Sequence, residues 1–151
     1  MGAGSRSNEA WEAMTWLLDT NTLIYFANRA PGYERIARKI SGRSPGEVRM
    51  SSISLAELEY GIENSSHREQ NRAALSDLTA LIDVDDFPAA AARDFGEIKA
   101  ALKRQGRPTK PYDLLIGAHA RAVGATLVTS DTDDFRHMPG LQLANWLKGR
   151  A

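Results

Sequence analysis

Residues 16–27 read Trp-Leu-Leu-Asp-Thr-Asn-Thr-Leu-Ile-Tyr-Phe-Ala. Three apolar residues run without alternation into a carboxylate, the pattern of a strand buried on both faces, as in a parallel sheet covered by helices. Leu23, Ile24 and Ala27 then recur at helical spacing until Pro31-Gly32 breaks the run. The same succession returns downstream. Val48 and Met50 lead a second strand reaching Ile53, and Ser54 opens a helix carrying Leu55, Leu58 and Ile62. Thr126–Thr129 is short and β-rich, hence a core strand. Between these lie amphipathic turns at Tyr33–Ile40, a helix from about His67 to Ile82 and a brief strand at Val84. A helix capped by Asp86 turns Phe95, Ile98 and Leu102 inward and stops at Gly106; another runs from Pro111 to Gly124. A last strand around Leu141–Leu143 and the anchor Trp146 complete the pattern. Strands alternating with helices predict an α/β fold, a central, mostly parallel sheet flanked by helices.

The chain has 151 residues, a length that suits one domain. That domain is assigned to residues 14–151; residues 1–13, small and polar, are expected to form a flexible extension. Lys and Arg number 19, as do Asp and Glu, so the formal net charge is zero. That excludes a histone-like polyanion binder but leaves room for a local basic stripe. The absence of cysteine excludes disulfides, thiol catalysis and cysteine-ligated metal. The three histidines contain no His-x-x-x-His pair, so any bound metal is expected on oxygen. No apolar run approaches the roughly 18 residues of a membrane span, and the N-terminus lacks the apolar core of a signal peptide. A cytoplasmic protein with no membrane contact is the expectation.

The carboxylates fall at strand ends. Asp19 follows the first strand, and Glu57 lies in the first turn of the helix after the second. Asp113 lies in the first turn of the Pro111 helix; Asp131 follows the Thr126–Thr129 strand, with Asp134 three residues later. In an open parallel sheet the carboxyl ends of the strands share one side, where ligands bind. Each acid also has a local reading: Asp19 and Asp131 as helix caps, Glu57 in a capping box with Ser54, Asp113 complementing a helix dipole. Together they demand more. Like charges about 4 Å apart repel by ~4 kcal/mol at an effective dielectric near 20, a large share of a domain's ~5–15 kcal/mol of stability. A divalent cation relieves that repulsion, and an all-oxygen donor set suits Mg²⁺ or Mn²⁺. Thr20, Asn21 and Thr129 are placed to orient the ligands from behind.

Four ordered segments carry a family resemblance over roughly Met14 to Leu147. Leu17-Leu18-Asp19-Thr20-Asn21-Thr22-Leu23-Ile24 resembles the opening motif of PIN-domain nucleases, and Ser52–Ile62 resembles the second motif of their VapC toxin branch. Pro111–Ala120 is similar to the third motif, and Leu127–Phe135, with Pro139-Gly140-Leu141 and Asn145-Trp146 behind it, to the fourth. The resemblance implies a three-layer α/β/α PIN-like fold. It also implies a toxin of a type II toxin–antitoxin system, a Mg²⁺- or Mn²⁺-dependent endoribonuclease inhibited by a cognate VapB-type antitoxin. Homodimerisation and a toxin–antitoxin hetero-oligomer are implied as well. Asp19, Glu57 and Asp113 match the family's three metal-site acids. The fourth aligns with Asp131 or Asp134; Asp131 is favoured as nearer the strand end, with Asp134 auxiliary.

The implied chemistry is hydrolysis of an RNA phosphodiester by metal-activated water, with no histidine base. Arg104, Arg107 and Lys110 precede the Asp113 helix and are candidates for tracking RNA phosphates. An arginine of the antitoxin is expected to plug the acidic pocket, its helix lying in a groove walled by Leu23–Ala27, Tyr33–Ile40 and Leu55–Tyr60. Two rivals remain open. A haloacid-dehalogenase-like phosphatase would want a second Asp where Asn21 stands, and a degenerate PIN-like RNA-binding scaffold would lack activity although its acids are in place.

Overall fold

The computed structural model describes residues 14–148; the extension assigned to residues 1–13 lies outside them. The described strands are β1 (Trp16–Leu18), β2 (Val48–Ser51), β3 (Asp83–Asp85), β4 (Thr126–Val128) and β5 (Gln142–Ala144). The helices are α1 (Thr20–Ala27), α2 (Tyr33–Ser41), α3 (Ser52–Glu63), α4 (Arg68–Leu81), α5 (Ala91–Arg104), α6 (Pro111–Val123) and α7 (Thr132–Phe135).

The strands form one sheet in the order β3-β2-β1-β4-β5, every neighbouring pair parallel. Consecutive residues of a strand point to opposite faces, and the central strands use both. Leu18 and Val128 enter a core with Leu23, Ile36, Ile62 and Leu75 from α1 to α4. Leu17 and Leu127 enter a second core with Ile98, Leu102, Leu114 and Phe135 from α5 to α7. Two cores on opposite faces of one sheet make the three layers α/β/α.

Strand order also locates the site. From β1 the chain moves outward to β2 and β3, and β4 returns on β1's other side with β5 beyond it. The order therefore reverses between β1 and β4, and the crevice at their carboxyl ends is where such sheets bind ligands. Asp19 follows β1 there, its N–H donating to Val128 O at 3.0 Å.

Two boundaries differ from those expected. The second strand ends at Ser51, which caps α3 by accepting the Ile53 N–H at 3.1 Å, so the helix starts at Ser52 rather than Ser54. Asp86 does not cap the following helix. Ser52 Oγ accepts the Phe87 N–H at 3.0 Å, holding that segment against α3, and α5 begins at Ala91. By contrast α6 behaves as read, with Pro111 in its first turn and Gly124, at φ 71°, closing it in the left-handed conformation that favours glycine.

Candidate active site

Asp19 occupies the N-cap of α1 with φ −72° and ψ 167°, and its Oδ1 accepts the Thr22 N–H at 2.8 Å. It is only 3% exposed. Burial pushes its carboxyl up from the usual range; hydrogen bonds from Thr129 and Thr22 oppose the rise, and the Asp131 charge adds to it. Capping and site roles coexist, because the cap bond to the Thr22 N–H is made by Oδ1.

Because α3 starts at Ser52, Glu57 stands in the helix's second turn and the capping box with Ser54 does not form. The carboxylate is held from α1 instead. Thr20 Oγ1 donates to Glu57 Oε1 at 2.6 Å and lies 3.0 Å from the buried Ser54 Oγ. With its one proton committed to the carboxylate, Thr20 accepts from Ser54. Ser54 is thus a positioning residue that sequence reading assigned to a cap; a serine on the helix's buried face was the available signal.

Asp113 sits at the third position of α6, half-buried. Its carboxyl is pushed up to about 6, first by burial and then by the charge of Asp134; Lys110 opposes this, while Asp19 and Glu57 add to it. The charges of three chain-distant carboxylates, Asp134, Asp19 and Glu57, therefore reach Asp113.

Asp131 precedes α7 and Asp134 lies within it. Asp131 holds the N-cap position, but its side chain makes no capping bond and it is exposed. Desolvation and the Asp134 charge raise its carboxyl, and Lys110 opposes. Asp134 is half-buried and is the carboxylate whose charge acts most strongly on Asp113. The Asp131 charge reaches Asp19, and the Asp134 charge reaches Asp113.

Of the orienting residues, Thr129 is fully buried, accepts the Asp131 N–H at 2.9 Å and hydrogen-bonds Asp19. Asn21 is exposed and makes no side-chain hydrogen bond among the described residues. Arg107 and Lys110 line a cleft of about 310 Å³ with Asp133, Asp134 and His137, whereas Arg104 is exposed and does not line it. His119 is not aimed at the acids. Its ring is buried, with Nδ1 2.8 Å from Ser51 Oγ and its edge against Phe87.

Among the described residues no three metal-ligating side chains close into a ligand cage. The acids lie at the carboxyl-end rim of the sheet, and a hard divalent ion that keeps several waters takes only one or two carboxylates directly. Burial first, and neighbouring carboxylate charge second, raise the carboxyls of Asp19, Asp113 and Asp131, and an all-oxygen donor set suits such an ion.

Beside the rim runs an apolar groove of about 200 Å³, lined by Ile24 and Ala27 of α1, Leu58 and Ile62 of α3, and Leu75 and Leu78 of α4. Glu57 lies in its lining. Helix α4 supplies a wall next to Glu57, and Tyr33 and Ala37 line an adjoining depression that shares Ala27, Ala74 and Leu78 with the groove.

Comparison with known proteins places this geometry. The PIN domain model matches residues 16–141. The chain is 38% identical over 133 residues to the tRNA(fMet)-specific endonuclease VapC of Shigella flexneri, covering 88% of this chain and 98% of that one. It is 36% identical over 135 residues to ribonuclease VapC2 of Rickettsia felis, covering 89% of this chain and 100% of the relative. Among solved structures, VapBC2 of Rickettsia felis bound to a promoter DNA fragment superposes with TM-score 0.80 at 35% identity, over 88% of this chain and 99% of that one. DNA-bound VapBC of Salmonella typhimurium gives 0.82 at 34%, over 88% and 98%.

Proposed function

Because this chain belongs to the PIN-domain family, within its VapC ribonuclease branch, we propose that Asp19, Glu57 and Asp113, with Asp131 and Asp134, hold Mg²⁺ or Mn²⁺ for cleavage of RNA. The single observation that carries this reading is Asp113, whose carboxyl feels Asp134, Asp19 and Glu57 at once from three other elements. When bound, the cation lowers the pKa of a coordinated water and neutralises charge on the phosphate oxygens.

The chain's own residues do the positioning. Thr20 locks Glu57, while the Thr22 N–H and Thr129 hold Asp19, so neither carboxylate has to be ordered when substrate arrives. Lys110 acts on both Asp113 and Asp131 and offers a cation at the rim, where a phosphate approaches. Arg107 lies in the same cleft and is assigned to an adjacent phosphate. Arg104 does not line that cleft. No histidine serves as base, since the His119 ring is buried and engaged with Ser51.

The reading extends to partner and substrate. A VapB-type antitoxin lays a helix in the α1–α3–α4 groove and sends an arginine over its Glu57 side onto the acids, a bidentate fork matching paired carboxylates. The chain acts in the cytoplasm; no helix among the described residues is long and apolar enough to cross a membrane. Transfer RNA is the first substrate to test, because the Shigella flexneri relative is named for tRNA(fMet).

The purified chain, incubated with total transfer and ribosomal RNA and Mg²⁺, is expected to give a few discrete cleavage ends by end-mapping sequencing. Those ends should vanish with Asp19→Asn. The same ends from the variant would contradict the assignment.

A further inference from the structure

Two clefts meet at the α5–α6 loop. The first, of about 310 Å³, runs from Asp134 and His137 past Lys110 to Arg107. The second, of about 340 Å³, is lined by Lys99, Lys103, Arg107, Pro108, Thr109 and Leu114. They share Leu102, Gly106, Arg107, Pro108 and Thr109, so a surface track leads from the acid rim over this loop to α5. Lys110, Arg107, Lys103 and Lys99 succeed one another along it. None of the four is paired with a carboxylate among the ion pairs of the described residues, whereas Arg49, Arg72, Arg121 and Arg136 are. Lys99 and Lys103 are four residues apart on α5 and share a face; Arg104, one residue on, is turned away from it.

We propose that this track seats the single-stranded RNA segment flanking the scissile bond, with Lys99 and Lys103 neutralising phosphates beyond those at the acid rim. The proposal rests on the ribonuclease reading and adds a direction to it: the strand leaves the acids over the Gly106–Thr109 loop toward α5. Unpaired cations that continue from a carboxylate site fit a polyanion that must reach that site, since the acids alone would repel it. The apolar stems of the lysines and the Pro108 ring offer the bases a partly apolar wall.

The test compares wild type, Lys99→Ala/Lys103→Ala and Arg104→Ala on two RNAs cut at the same bond: a single strand of roughly twelve nucleotides, and a trinucleotide too short to reach α5. On the long RNA the double variant is expected to raise KM on the order of tenfold with kcat unchanged, and Arg104→Ala to change neither. Trinucleotide cleavage should be the same for all three. Binding of the long RNA under chelator, followed by fluorescence anisotropy against salt, should lose about 1.4 from its log–log slope in the double variant. Circular dichroism and a Lys103→Glu variant, expected to exceed Lys103→Ala in effect, separate charge from misfolding. An unmoved KM and salt slope, or equal losses in Arg104→Ala, would each overturn the track. Absence of cleavage by the wild type would overturn the ribonuclease reading instead, and the anisotropy would still decide the track.

Discussion

Replacing Asp113 by Asn is expected to lower kcat for RNA cleavage on the order of 10³-fold or more, while leaving the folded chain at least as stable as wild type. The two halves of that expectation have one cause. Asp113 is half-buried, and burial first and neighbouring like charges second raise its carboxyl to about 6, so at neutral pH the ionised form is held at a cost. Asn has the same shape and no charge, which removes the repulsion and also removes a donor for the cation. Asp19→Asn should behave alike, because Asn caps a helix as well as Asp does and keeps the Thr22 N–H satisfied. Steady-state kinetics with thermal unfolding check both halves. A variant that loses activity by unfolding, or keeps activity within tenfold, contradicts the role.

Chelation gives the second large effect. EDTA should reduce cleavage to background, and excess Mg²⁺ or Mn²⁺ should restore it and raise Tm by several degrees, the equivalent of about 2.7 kcal/mol at a hundredfold excess over Kd. The pH dependence has a definite sign. The Asp113 carboxyl titrates near 6 in the folded chain against 3.8 unfolded. The folded state therefore binds the extra proton between those values, and the metal-free chain loses stability as pH rises from about 4 through 6. The cation needs the ionised carboxylate, so its stabilising effect should be full at pH 7.5 and nearly gone at pH 5. Differential scanning fluorimetry with and without EDTA at both values measures this. A metal-induced shift of equal size at pH 5 would contradict the assignment.

The layers and the crevice were legible because buried parallel strands announce themselves: Trp16-Leu17-Leu18 and Thr126-Leu127-Val128 run apolar into polar residues without alternation. What stayed hidden was decided by contacts across the chain. Ser51, Ser52 and Ser54 all resemble caps in sequence. Only the fold assigns them, with Ser51 to His119 and the Ile53 N–H, Ser52 to Phe87 and Ser54 to Thr20. The fourth acid was ambiguous for a similar reason, since α7 is four residues long and turns Asp134 inward while Asp131 stays exposed. Arg104 is the one basic candidate that lines neither cleft, and a periodicity argument bears on why. Position 103 shares a face with position 99 on a helix, and position 104 does not.

Titrating Mn²⁺ into the metal-free chain at pH 7.5, with free ion followed by electron paramagnetic resonance, tests the carboxylate site most directly. Wild type is expected to bind, Asp19→Asn and Asp113→Asn to bind at least about tenfold more weakly, and Asp83→Asn, on the exposed edge strand β3, to match wild type. Equal affinity in all four proteins would mean that these acids do not hold the ion.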